Sequence, residues 1–139
     1  MRKEIIESKL AKITDSLNVI VENMPEEYED FIKLGLIKEG LYKKVEFAIE
    51  TILDICAVIN SDLGLGMPEV EDDILDNLEK KRVLKKEVIA KIREMKGFRN
   101  LLVHKYGDVD DKKAFDNLKE GIEDFDIAMK DIENVLKRY

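Results

Sequence analysis

The sequence predicts an all-α protein, an antiparallel bundle of four main helices joined by shorter helices. Three observations carry this. Apolar residues recur at alternating spacings of three and four over long stretches, while strict alternation never persists. Only two prolines, Pro25 and Pro68, interrupt the 139 residues. Hydrophobic residues make up 45% and charged residues 40%, the balance expected of helices with one buried and one solvated face. With no repeat and no low-complexity tract, one domain over residues 1–139 is expected, long enough to bury its own core.

The first helix is expected over residues 3–24, where Ile6, Leu10, Ile13, Leu17, Ile20 and Met24 form one stripe. Pro25 closes it, and an amphipathic turn (Tyr28, Phe31, Ile32) leads to Gly35. The second helix is expected over 38–63, with Leu41, Val45, Ile49, Ile52, Cys56 and Ile59 as its main stripe. Its other side carries Phe47, Leu53, Ala57 and Val58 among Glu46, Glu50 and Asp54. A helix apolar nearly all round needs cover on both sides, and a second subunit is the simplest supplier, so a homodimer is expected.

Residues 64–72, GLGMPEVED, are the clearest loop, with Gly64, Gly66 and Pro68 as breakers. A shorter helix is expected over 71–82, then a helix from Lys85 to about Gly107 with the stripe Val88, Ile92, Met95, Leu102, Val103. Asp108 to Asp111 supply a turn and an N-cap. The last helix shows Phe115, Leu118, Ile122, Phe125, Met129, Ile132 and Leu136 on one face.

A single cysteine, Cys56, excludes an internal disulfide, and the N-terminus MRKEIIESKL is too charged for a signal sequence. No uncharged run approaches a membrane span, so a cytoplasmic protein is expected. The absence of Gln and Trp beside abundant Lys, Glu and Asp is the surface composition of thermophile proteins. The net charge of −7 is unevenly placed. Lys80 to Tyr106 contain ten Lys/Arg against Glu87 and Glu94, a local balance of +8. That strip is either a solvated helix face or the footprint of an anionic substrate or acidic partner.

Within it, GFRNLLVHKYG (97–107) holds the only histidine and puts Arg99 and Tyr106 in the middle of an apolar stripe. A buried guanidinium without compensation costs several kcal/mol. Arg99 therefore needs a carboxylate partner, a water-filled cleft or a subunit boundary, unless Gly97 breaks the helical phase. Glu46, Glu50 and Asp54 are a polar face first and candidate partners second. Asn100 and His104, four apart, share a face and are within hydrogen-bonding reach of each other. Arg99 and His104, five apart, diverge by roughly 140° on a straight helix, so a long side chain, a bent helix end or a two-fold axis must bring them together.

An imidazole, a guanidinium and a phenol suit phosphodiester chemistry without metal. The histidine shuttles protons near neutral pH and the arginine neutralises charge on phosphate oxygens. RNA brings its own nucleophile, the 2′-hydroxyl. One histidine with scattered carboxylates gives no metal spacing. Cys56, on an apolar stripe, reads as an inert core thiol, and GLG at 64–66 lacks the strand–loop–helix setting of a phosphate loop. No cofactor is indicated.

The stretch R-N-L-L-V-H-K-Y, Arg99 to Tyr106, resembles the R-x-x-x-x-H-x-Y motif of HepT-like toxins in the HEPN superfamily. VEFAIETILDICAVI is similar to that family's second helix, and MKGFRNLLVHKYGDVD to its motif helix and following turn. The resemblance covers almost the whole chain. It implies a dimeric helical bundle with the motif at the dimer cleft, and a metal-independent ribonuclease toxin with Arg99 and His104 catalytic. It also implies a nucleotidyltransferase antitoxin that adds AMP to Tyr106, and a supporting role for Asn100 in orienting His104. Two rival readings stand beside this one: a non-catalytic binding module that partners a nucleotidyltransferase, and an inert scaffold in which Arg99 pairs with Asp54 or Glu50.

Overall fold

The computed structural model describes residues 1–104 and 109–139, without the side chains of Val103 and His104. Those residues form helices α1 (Lys3–Asn23), α2 (Tyr28–Phe31), α3 (Leu36–Asp62), α4 (Glu71–Lys80), α5 (Lys86–His104) and α6 (Asp111–Arg138). Among the described residues there is no strand. The long helices are those expected from periodicity, their described ends displaced by one or two residues. The expected last turn of α5, to Gly107, lies outside the described residues.

The helix ends have local causes. Met24 is forced into extended backbone (φ −82°, ψ 119°) by the proline after it, which stops α1. At the end of α3, Gly64 takes a left-handed φ of 61°. The Leu65 N–H then reaches Asn60 O at 3.0 Å and the Gly64 N–H reaches Ser61 O at 3.1 Å, satisfying carbonyls the helix leaves open. Asp110 caps α6, its side chain accepting from the Lys113 N–H at 3.1 Å.

Side-chain contacts between helices fix their directions. Arg2 pairs with Asp62 at 2.8 Å and Lys9 with Asp54 at 3.9 Å, so α1 and α3 run antiparallel. The Lys85 N–H donates to Asp131 at 2.9 Å and Lys91 pairs with Asp124 at 2.9 Å, so α5 and α6 do too. The stripes meet inside: Ile6, Ile13 and Ile20 from α1, Ile49, Ile52 and Ile59 from α3, Val88 and Ile92 from α5, Leu118 and Ile132 from α6 are all buried.

α3 is the central helix, packed at once on α1, α4 and α5. This corrects the argument that its second apolar side needs another subunit. Leu53 is buried and Ala57 and Val58 are half-buried by the chain's own helices; only Phe47 of that set is exposed, at 43%. The periodicity showed a helix that needs two-sided cover, and α4, short and mostly charged, contributes to it through the buried Leu75 and Leu78.

Candidate active site

α5 runs through Gly97 without a break, so Arg99 keeps the phase of the apolar stripe. Its side chain is only 17% exposed. The guanidinium is held from two directions. Nη2 donates to Glu71 Oε1 at 3.0 Å, with Nη1 3.4 Å from Oε2. Nη2 and Nε also donate to Oδ1 of the neighbouring Asn100, at 2.9 and 3.3 Å. A carboxylate and an amide oxygen thus bracket a largely desolvated cation.

Glu71 is the first residue of α4, where the helix dipole favours negative charge. The loop before it is tied down by a buried amide: Asn60 donates to Gly66 O at 2.9 Å and accepts from Asn77 of α4 at 3.0 Å. The Arg99–Glu71 contact ends a ladder between α4 and α5. Arg93 pairs with Asp76 at 2.6 Å, and Lys96 with Asp72 at 2.6 Å and Glu71 at 3.4 Å. The Lys96 hydrogen bond and charge hold the Asp72 carboxyl below its ordinary range.

Asp54 and Glu50, read from sequence as a polar face first and as candidate partners for Arg99 second, do not pair with it; Glu71 does. Asp54 is 65% exposed and lies 3.9 Å from Lys9, on the edge of α3 that faces α1. The partner comes from α4, whose first turn the Gly64–Pro68 loop delivers to α5. Asn100 contacts Arg99; its expected contact with His104 involves a side chain outside the described residues, as does all of Tyr106. Cys56 is fully buried and its thiol is pushed up to about 12 by that burial, which suits a core residue and not a nucleophile.

A cleft of about 160 Å³ opens where α5 approaches α6, between Leu102, Val109 and the start of α3. In its wall, the Tyr42 hydroxyl donates to Asp111 Oδ1 at 2.5 Å and Lys38 Nζ pairs with Oδ2 at 2.8 Å. Burial works to raise the Asp111 pKa, but the hydrogen bonds from Lys38 and Tyr42 outweigh it and hold the carboxyl below its ordinary value. Tyr42 is pushed far above the usual phenol range, by burial first and then by its bond to Asp111. These groups flank the ends of the segment that carries Tyr106. Neither this cluster nor Glu71 was found by motif spacing. The one available signal for Glu71 was charge complementarity, an acidic first turn facing Arg93, Lys96 and Arg99 at intervals of three. Among the described residues no three His, Cys, Asp or Glu side chains gather as a metal site, and no helix is long and apolar enough to cross a membrane.

The helical frame is shared with solved HEPN toxins. A tri-AMPylated HEPN toxin of Shewanella oneidensis, solved in complex with MNT antitoxin, is similar over 97% of this chain and 98% of its own, with a TM-score of 0.81 at 22% identity. A toxin–antitoxin structure with AMP-PNP gives 0.82 at 21% identity, over 92% and 97% of the two chains. YutE of Bacillus subtilis, a cytosolic protein of unknown function, gives 0.80 at 19%, over 99% and 92%. The sequence matches the Ribonuclease HepT-like family over residues 7–132, and the chain belongs to it. An Archaeoglobus fulgidus protein named "Putative RNase" is 28% identical over 122 residues, 86% of this chain and 84% of its own.

Proposed function

We propose that this chain is a metal-independent endoribonuclease toxin that acts in the cytoplasm as a homodimer and is neutralised by a nucleotidyltransferase antitoxin. The observation that carries the reading is Arg99, desolvated and bracketed by Glu71 and Asn100, five residues before the only histidine, in a Ribonuclease HepT-like chain. The 2′-hydroxyl of RNA attacks the adjacent phosphorus, and the P–O5′ bond breaks. His104 takes the hydroxyl proton and supplies one to the departing 5′-oxygen. Arg99 neutralises the phosphate oxygens as charge gathers on them, and Asn100 keeps the guanidinium in place. AMP on Tyr106 brings a phosphate to the groups that would hold the substrate's, and the adenylate fills the space RNA needs. Similarity to a tri-AMPylated toxin supports this half of the reading.

The Arg99–Glu71 pair also suits a second reading, in which Arg99 is structural and the bundle only binds a nucleotidyltransferase. One experiment separates the two. Purified protein is incubated with RNA in EDTA, alone and after treatment with the cognate nucleotidyltransferase, ATP and Mg²⁺. Cleavage should fall about a hundredfold or more in Arg99→Ala and in His104→Ala, with helical content unchanged. The partner should add AMP mass to wild type and silence it, while Tyr106→Phe gains no mass and keeps cutting. Wild-type cleavage in Arg99→Ala or His104→Ala would sink the catalytic reading, and modification of Tyr106→Phe would sink the regulatory one.

A further inference from the structure

The basic strip of residues 80–106 divides in two. Along the motif half every described cation is engaged by a carboxylate: Lys91 by Asp124, Arg93 by Asp76, Lys96 by Asp72, Arg99 by Glu71. At the other end, in KKRVLKK (80–86), Lys80, Lys81, Arg82, Lys85 and Lys86 are all exposed, and none forms an ion pair among the described residues. In a molecule of net charge −7, the unneutralised cations of this strip are therefore, among the described residues, gathered at the loop between α4 and α5.

That loop is held rigidly. Val83 and Leu84, between the cations, are buried in the core. The Lys85 N–H donates to the buried Asp131 at 2.9 Å, and Arg138 donates to Val83 O. Arg82 takes a left-handed φ of 55°, which turns the chain between α4 and α5. A loop displaying charge from fixed backbone loses little entropy on meeting a polyanion.

We propose that the 80–86 loop is a docking site for the backbone of the substrate RNA, remote from the chemistry. The inference rests on the ribonuclease reading and adds where the substrate's length is felt. Lys86 and Arg99 are thirteen residues apart on α5, about 20 Å along its axis at 1.5 Å per residue and roughly 140° apart around it, so the strand follows the axis while passing partly round the helix. A stacked strand with one charge per ~3.4 Å places about six phosphates across that span. Phosphate contacts there position the strand without reading its sequence.

The test compares wild type with Lys81→Gln/Lys85→Gln/Lys86→Gln on two RNAs, one of about four nucleotides, too short to reach the loop at ~3.4 Å per charge, and one of about twenty. On the long RNA the triple variant should raise KM about tenfold with kcat unchanged. Its salt slope should flatten by about 2, at roughly 0.7 per lost single-strand phosphate contact. The short RNA should be cut equally well by both proteins. Unchanged kinetics on the long RNA would overturn the proposal, as would equal losses on both lengths. So would unchanged RNA kinetics with weakened nucleotidyltransferase binding, which would make the loop a protein-docking surface. If wild type cuts neither RNA in EDTA, the ribonuclease reading falls instead. Fluorescence anisotropy of the labelled long RNA then decides for the loop: weaker binding by the triple variant upholds docking, equal binding overturns it.

Discussion

At the scale of single residues, Arg99 shows how a cation is kept on an apolar stripe. Fully exposed ion pairs contribute roughly 0.2–1 kcal/mol, and removing one partner of a fully buried pair costs about 3–5. Arg99 is 17% exposed and Glu71 39%, which places their coupling near the top of the exposed range, about 1 kcal/mol. A double-mutant cycle of Glu71→Gln and Arg99→Ala, followed by urea unfolding, should return that value, since Lys96's contact with Glu71 cancels in the cycle. A coupling of zero would mean that the clamp is made by Asn100 alone. That Arg99 needs compensation was legible from its place on the stripe; that a carboxylate supplies it, and which one, was not. Glu71 lies 28 residues away, at the head of a helix placed by a preceding loop whose course depends on the buried Asn60 amide, and no periodicity encodes that.

At the scale of elements, α5 carries the site because it stays helical through Gly97. A Cβ built there meets nothing within 4 Å, and the residue is exposed. Gly97→Ala should therefore stabilise the protein by about 0.5–1 kcal/mol through helix propensity alone, raising Tm by roughly 3 °C for a chain of this size. A lower Tm in a calorimetric scan would show that this face of α5 is covered by something a methyl group displaces. Helix identity was readable wherever one stripe dominated, as in α1. It misled in α3, because a stripe on two sides says only that both are covered. Which helices do the covering, α4 after its loop and α5 beyond it, is set by how the chain turns back, which the stripe does not record. The Tyr42–Asp111 bond was hidden for the same reason, its partners being 69 residues apart on helices that meet only in the bundle.

For the molecule as a whole, the open question is what lies against the exposed Phe47. It sits on the central helix one residue from Glu46, which lines the cleft beside the end of α5. A second copy seated here would bring two arginine-bearing helices toward one another. Light scattering at micromolar concentration should therefore give twice the 16.1 kDa of one chain for wild type. Phe47→Asp should give a single chain's mass, because a charge there cannot be desolvated cheaply. A wild-type mass of one chain would remove the homodimer from the proposed function. A dimer that survives Phe47→Asp would move its interface elsewhere.

Cys56 has a use that its chemistry does not suggest. It is the only thiol in the chain, wholly enclosed on the central helix, and its high pKa leaves almost no thiolate near neutral pH. An alkylating reagent can reach it only when the helices around α3 part. Its labelling rate is thus a clock set by breathing of the bundle, readable by mass without any introduced probe. Because α3 packs on α1, α4 and α5 together, that clock times any opening that lifts one of them from α3. Any ligand that binds only the closed bundle must slow it in proportion to its occupancy.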